Sequence, residues 1–156
     1  MPTISFVSPK GGVGKTTAAV LLATEIARRG KAVTVIDADP NKPISTWARL
    51  PGRPENLRVV SEVHEDTIID EIERAEAEAP FVVIDLEGTA SLMVGYAISR
   101  CDLVIVPSQG SQLDAKEAAK AIIAAEKDEN VGVIVLTGAG RAFSAGADLT
   151  ELGGRL

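Results

Sequence analysis

The chain has 156 residues, of which 46% are hydrophobic, so it is long enough to bury the core of about one domain. Its 16 basic and 22 acidic residues give a net charge of −6 at pH 7, which argues against a general attraction to nucleic acid or to an anionic membrane. The single cysteine excludes an internal disulfide, and no basic leader or long apolar segment is found. We therefore expect a cytoplasmic globular protein.

Short apolar runs of strand length alternate with stretches of helical period along the chain. The predicted strands are Ile4–Val7, Ala32–Ile36, Phe81–Leu86, Leu103–Val106 and Val131–Leu136, with a weaker edge strand at Leu57–Val60. The predicted helices are Thr16–Arg29, Ile44–Leu50, Thr67–Glu78, Ser91–Ser99 and Asp114–Lys127. Because such alternation builds right-handed βαβ units, the sequence predicts an α/β fold with a mostly parallel sheet and helices on both faces.

The sequence KGGVGKTT, residues 10–17, follows the first predicted strand and opens the first predicted helix, which is the context of a phosphate-binding loop. Its glycines let backbone N–H groups turn toward a polyphosphate, and the positive end of the helix dipole adds to that attraction. Lys15 is expected to reach the β- and γ-phosphates, and the Thr16 hydroxyl to bind Mg²⁺. The nucleotide-binding residues predicted here are Gly11, Gly12, Val13, Gly14, Lys15, Thr16 and Thr17.

The loop departs from the usual motif at its first position, where Pro9 replaces the expected glycine and Lys10 follows. This combination resembles the deviant Walker A box of the ParA/MinD family of ATPases. In that family the extra lysine contacts nucleotide bound across a dimer interface. The resemblance therefore implies that Lys10 binds nucleotide, that it acts in catalysis together with Lys15, and that ATP promotes a homodimer.

Acidic residues follow two further predicted strands, at the edge of the sheet where the phosphate loop belongs. Asp37 and Asp39 end the second strand, and the resemblance implies that Asp39 positions the attacking water and helps to hold Mg²⁺. The run FVVIDLEG has the form of a Walker B strand, whose aspartate, Asp85, would bind Mg²⁺ through a water. Glu87 and Gly88 then occupy the place of a switch loop that senses the γ-phosphate.

The resemblance covers about residues 1–122 and implies a protein that binds ATP and Mg²⁺, hydrolyses ATP slowly and switches between monomer and dimer. Intact family members position plasmids, chromosomes or other cargo, with a partition partner protein. The segments that carry DNA binding in full members are absent after residue 126. We therefore expect a truncated P-loop core that does not bind nucleic acid.

From about Ala121 to Leu152 the sequence, including VGVIVLTGAGRAFSAGADL, resembles the enoyl-CoA hydratase/isomerase (crotonase) family. In that family the backbone N–H of the residue after "AG", here Ala147, forms half of an oxyanion hole. The second donor and the acid/base carboxylates lie on later segments that this chain lacks, so Ala147 is predicted to be a vestigial donor.

We therefore predict a chimera or fusion: one α/β domain with a ParA-like core at 1–122 and a crotonase-like helix–strand–loop segment at 123–156. Two other readings remain open. One is a chimeric or designed protein that retains the P-loop sheet without enzymatic activity. The other is a fragment of an acyl-CoA enzyme.

Overall fold

A computed structural model of the chain describes residues 1–8, 11–87, 91–108, 119–120, 122–123, 125–129 and 131–137. The chain divides into a first compact unit, Met1–Ala118, and a second unit, Ala119–Leu156. All β-strands among the described residues lie in the first unit. No described helix has the length and apolar character needed to span a bilayer.

Strands and helices alternate through the first unit. In chain order they are β1 (Thr3–Phe6), α1 (Lys15–Arg28), β2 (Val33–Asp37), α2 (Pro43–Trp47), β3 (Leu57–Val60), α3 (Ile68–Glu78), β4 (Val82–Asp85), α4 (Leu92–Ser99) and β5 (Leu103–Ile105). Over the described part of the chain they form a five-stranded sheet of order β3-β2-β4-β1-β5, in which every pairing is parallel. The predicted α/β architecture is confirmed, including the weak edge strand at Leu57–Val60.

Helices cover both faces of this sheet, as predicted. The face under α1 and α2 buries Ala19, Ala23, Ala27 and Ile44 with Val33, Val35 and Val83. The opposite face, under α3 and α4, buries Ile68, Ile72, Val94 and Ala97 with Ile36, Val82 and Ile84. Every residue of β1, β2 and β4 is buried, because strands covered on both sides contribute each of their side chains to one core or the other.

The predicted strand at Val131–Leu136 is wrong. Residues 131–137 have no strand structure, and the side chains of Val133 and Val135 are both 77% exposed. The run has the apolar period of a buried strand, but a strand also needs a hydrogen-bonded neighbour, and the second unit contains no other strand among its described residues. Of the predicted helix Asp114–Lys127, residues 119–120, 122–123 and 125–126 are helical, and Asp114 lies outside the described residues.

The buried alanines of α1 allow the helix to lie close to the sheet. We expect Ala23→Leu to lower the free energy of unfolding by about 1–3 kcal/mol, because Ala23 is fully buried and the added atoms would overpack this core. Leu21 lies on the same helix but is 65% exposed, so Leu21→Ala should change the free energy of unfolding by less than about 0.5 kcal/mol. Urea titrations of both variants test this, and equal stability of the two would contradict the packing of α1 described above.

Candidate functional site

The loop between β1 and α1 contains two glycines in left-handed backbone conformations, Gly12 with φ of 77° and Gly14 with φ of 94°. An added Cβ at either position would meet no atom within 4 Å, so the conformation rather than space favours glycine. Gly14 is the N-cap of α1, which begins at Lys15. Because the first N–H groups of a helix have no partner within the helix, this loop brings backbone donors to the carboxyl edge of the sheet.

Register places two carboxylates side by side at that edge. Asp85, the last residue of β4, pairs with Asp37, the last residue of β2, and with Phe6 of β1 on its other side. Both aspartates are fully buried. The phosphate-binding loop follows β1, so these carboxylates lie at the same end of the sheet as the loop.

A hydrogen bond connects α1 to β4 at this point. The Thr16 hydroxyl donates to Oδ2 of Asp85 at 2.7 Å. Burial raises the pKa of Asp85 from 3.8 to about 6; the Thr16 hydrogen bond and Lys15 counteract this shift, and Asp37 and Asp39 add to it. Since the Thr16 proton is directed to Asp85, the oxygen of Thr16 keeps lone pairs with which to bind a cation.

Two carboxylate oxygens at the site are buried without a hydrogen-bond partner among the described residues. They are Oδ1 of Asp37 and Oδ1 of Asp85. The other oxygen of Asp37, Oδ2, accepts from the backbone N–H of Ser45 at 2.7 Å. Buried polar atoms are nearly always satisfied, so two orphaned oxygens on neighbouring strands are the arrangement that a bound cation or its waters would complete.

The loop that follows β2 is held by hydrogen bonds within it. Oδ1 of Asp39 accepts from the backbone N–H of Asn41 at 2.8 Å and from its side-chain Nδ2 at 2.9 Å. Lys42 then adopts a left-handed conformation, with φ of 49°, and its ammonium donates to the carbonyl oxygens of Asp37 at 3.3 Å and Ser61 at 2.5 Å. These contacts fix the direction of the Asp39 carboxylate.

A cavity of about 510 Å³ brings most of the predicted residues together. It is lined by Gly11, Gly12, Gly14, Lys15, Thr16, Thr17, Asp39, Pro40, Asn41 and Glu87. Val13 lies in the same loop but does not line the cavity, and Asp85 lies below it, bound to Thr16. Lys10, Gly88 and Ala147 lie outside the described residues.

Sequence reasoning did not select Asn41, Lys42 or Asp37 as site residues. Asp37 was noticed as the end of a strand, but its burial beside Asp85 depends on a register that one sequence does not reveal. The turn residues of "DPN" were a usable indication, because asparagine and aspartate often bond to nearby backbone. Nothing in the sequence indicated the left-handed conformation of Lys42, since lysine rarely adopts it.

Comparison with known families identifies the chain. The CobQ/CobB/MinD/ParA nucleotide binding domain family (CbiA) matches residues 4–146. The chain belongs to this family. Protein ParA of Rhizobium radiobacter is 42% identical over 132 residues, which are 84% of the chain and 60% of that protein. Protein virC1 of Rhizobium rhizogenes is 30% identical over 123 residues, 76% of the chain and 53% of the relative.

The chain therefore spans between half and two thirds of the length of these ParA-family relatives. Solved structures agree on the fold. A plasmid partition protein from Borrelia burgdorferi bound to AMPPNP superposes with a TM-score of 0.66 at 16% identity, covering 90% of the chain and 76% of that protein. The cell division ATPase MinD of Pyrococcus furiosus gives a TM-score of 0.69 at 19% identity, covering 87% and 70%.

The predicted P-loop fold and its likeness to the ParA/MinD family are thus confirmed. The family match extends to residue 146, past the predicted junction near residue 122. The crotonase-like segment and the chimera stay predictions, as does the division at residue 122.

Replacing Asp85 should reveal its raised pKa in the metal-free protein. The pKa of Asp85 in the folded state, about 6, exceeds its ordinary value of 3.8, so the unfolded state loses its proton first as pH rises. Deprotonation therefore lowers the free energy of unfolding, beginning near pH 4 and reaching its full effect above about pH 6. We expect Asp85→Asn to gain up to about 3 kcal/mol relative to the wild type between about pH 4 and pH 7. Urea titrations in EDTA test this, and a difference that does not change with pH would contradict it.

Substitutions at Lys42 should separate its backbone from its ammonium group. Lys42→Met loses the bonds to two carbonyls and keeps the left-handed strain, whereas Lys42→Gly loses the bonds but relieves the strain. We expect the glycine variant to be the more stable of the two by roughly 1 kcal/mol in denaturant titrations. At the exposed control position Lys31, whose backbone is not left-handed, Lys31→Met should be more stable than Lys31→Gly. The same order at both positions would refute the strain at Lys42.

Proposed function

We propose that the chain is the nucleotide-binding core of a ParA-type ATPase that binds Mg·ATP, hydrolyses it slowly and uses nucleotide state as a switch. The observation that carries this proposal is that the glycine loop, Lys15, Thr16, Asp39 and Glu87 line one and the same cavity. These residues come from the carboxyl ends of three strands, which is where parallel α/β sheets bind their ligands.

The residues at the site fit a magnesium ion. Mg²⁺ prefers oxygen ligands and usually keeps several waters and substrate phosphates around one or two protein oxygens. The lone pairs of Thr16 and the orphaned oxygens of Asp85 and Asp37 are such donors. We assign Thr16 as a direct ligand and Asp85 as a ligand through water, with Asp39 helping to hold the ion. When bound, the ion would neutralise charge on the phosphates.

The chain's own residues would perform the remaining chemistry. Backbone N–H groups of the loop would bind the phosphate oxygens, and Lys15 would neutralise the charge that develops between the β- and γ-phosphates. Asp39 would orient the attacking water, because Asn41 occupies one of its oxygens and thereby sets the direction of the carboxylate. Slow hydrolysis suits a switch, whose states must persist for longer than one binding event.

Glu87 and Gly88 would form the switch loop that senses whether the bound nucleotide carries a γ-phosphate. Glu87 lines the cavity directly after β4, where a γ-phosphate would approach it. Lys10 would contact nucleotide across a homodimer, as the family resemblance implies. Relatives carry the names ParA and maintenance of carboxysome distribution protein A, the latter from Halothiobacillus neapolitanus at 26% identity over 115 residues. We propose cargo positioning with a partition partner as the biological role.

Calorimetric titration with Mg·ATP tests the site. Lys15→Ala should abolish measurable binding, because Lys15 lines the cavity and would neutralise the phosphates there, whereas Lys31→Ala, at an exposed position, should bind as the wild type does. Light scattering in parallel should show a dimer with Mg·ATP that is absent with Mg·ADP and absent in Lys10→Ala.

Binding by the wild type that both lysine variants retain would contradict the assignment of Lys15. No binding by folded wild-type protein would overturn the proposal and favour a chimeric protein that retains the P-loop sheet without activity. Phosphate release should be lost in Asp39→Asn while Mg·ATP binding stays within a few-fold. Unchanged release would remove Asp39 from the reaction.

A further inference from the structure

A second pocket lies on the first unit, at the opposite end of α1 from the nucleotide cavity. It has a volume of about 140 Å³ and is lined by Thr24, Arg28, Trp47, Leu50, Arg53 and Pro54, with Pro51 and Gly52 completing the rim. Helix α1 has 14 residues, so about 20 Å separates Lys15 at one site from Arg28 at the other. Nothing in the proposed ATPase chemistry uses this pocket.

The walls of the pocket are held in place by specific contacts. Nδ2 of Asn56 donates to the carbonyl oxygens of Ala27 at 2.9 Å and Lys31 at 2.8 Å, which fastens the loop after α2 to the end of α1. Nη1 of Arg53 donates to the carbonyl oxygen of Leu57 at 2.8 Å. A pocket that is already ordered avoids the entropic cost of ordering its loops when a ligand binds.

The lining has the composition of a protein-binding site. Trp47 is the only tryptophan of the chain, and Leu50 beside it is 60% exposed. Tryptophan and arginine are the residues most enriched among those that dominate binding energy at protein interfaces. The Thr24 hydroxyl oxygen is buried here without a hydrogen-bond partner among the described residues.

The surroundings of the pocket are basic although the protein is acidic. Residues 28–58 contain seven lysines and arginines and three acidic residues, in a chain of net charge −6. Asp37, Asp39 and Lys42 belong to the nucleotide site, and Arg29 and Arg58 are ion-paired with Glu25 and Glu78. This stretch therefore keeps Arg28, Lys31, Arg49 and Arg53 against the single acidic residue Glu55. No ion pair joins Arg28 or Arg53 to any residue that the structure describes. The pocket therefore presents two available cations around an apolar centre.

We propose that this pocket is the docking site for an acidic segment of a partner protein that carries one leucine-sized side chain between its carboxylates. The volume accommodates one such side chain beside Trp47 and Leu50. Arg28 would pair with one carboxylate in bidentate geometry, and Arg53, whose Nη1 donates to Leu57, would offer its remaining N–H groups to another. A nucleic acid requires cations in a row along its phosphates, whereas these two flank a single apolar pocket.

Docking at this pocket would affect the nucleotide site through α2, an inference that rests on the proposed function. Helix α2 has five residues, with Lys42 as its N-cap and Trp47 as its last residue. Lys42 closes the loop that directs Asp39, and its backbone N–H donates to the Asp39 carbonyl oxygen at 2.9 Å. A partner that moves Trp47 would therefore move the loop that carries Asp39, and with it the rate of hydrolysis.

The fluorescence of the single tryptophan reports directly on the pocket. The full chain is titrated, without nucleotide, with a blocked peptide of sequence EEDLDEE. Matched peptides replace its leucine by glycine or all its acidic residues by lysine. We expect the first peptide to change the emission of Trp47 and to bind at least tenfold more tightly than either control. Arg28→Glu should weaken binding at least tenfold, whereas the charge reversal Arg74→Glu, on α3, should leave it unchanged.

Each other result overturns the docking proposal. The first such result is an unchanged Trp47 emission at millimolar peptide. The second is equal affinity for the leucine and glycine peptides, and the third is equal affinity of wild type and Arg28→Glu for the leucine peptide. The fourth is tighter binding of duplex DNA than of the peptide at this pocket. Circular dichroism confirms that each variant is folded. The two proposals fail separately: protein that binds Mg·ATP but not the peptide refutes only docking, and protein that binds the peptide but not Mg·ATP refutes only the nucleotide site. Unchanged phosphate release with saturating peptide refutes the coupling.

Discussion

The hydrogen bond from Thr16 to Asp85 joins the two halves of the nucleotide site. It connects the first turn of α1, directly after the glycine loop, to the carboxyl end of β4. The same bond directs the Thr16 lone pairs outward and lowers the cost of a buried carboxylate. Without it, the first turn of a helix that otherwise packs on the sheet through apolar residues would lack this polar contact with β4.

That anchor is useful only because the strands around it are in register. Parallel pairing places Asp37 beside Asp85, and burial on both faces removes these carboxylates from water. The Asp85 carboxylate is unfavourable for folding by itself, because desolvation disfavours its charge. A cation bound at this end of the sheet, as proposed above, would offset that cost, and functional sites commonly hold such locally unfavourable groups.

The sequence predicts this fold well and the site in part. Apolar period, turn residues and the glycine loop are local properties, so the strands and helices of the first unit follow from them within one residue, except that α2 ends at Trp47, three residues before its predicted end at Leu50. The strand predicted at Val131–Leu136 failed because strand formation depends on a neighbour as well as on composition. The burial of Asp37 and the contacts of Lys42 depend on distant residues such as Asp85 and Ser61, and a pattern read along one chain does not contain them.

The position of β1 within the sheet has a consequence for synthesis. β1 pairs with β4 and β5 rather than with the next strand in the chain, β2. Thr3 lies opposite Val82, and Ile4 lies opposite Leu103. A ribosome adds about 5–20 residues per second, so roughly 4–16 seconds pass between the synthesis of β1 and that of β4. During that interval β1 has no neighbouring strand with which to pair. β1 is therefore synthesised well before either strand that pairs with it, and its apolar residues are those that a chaperone would have to shield in the meantime.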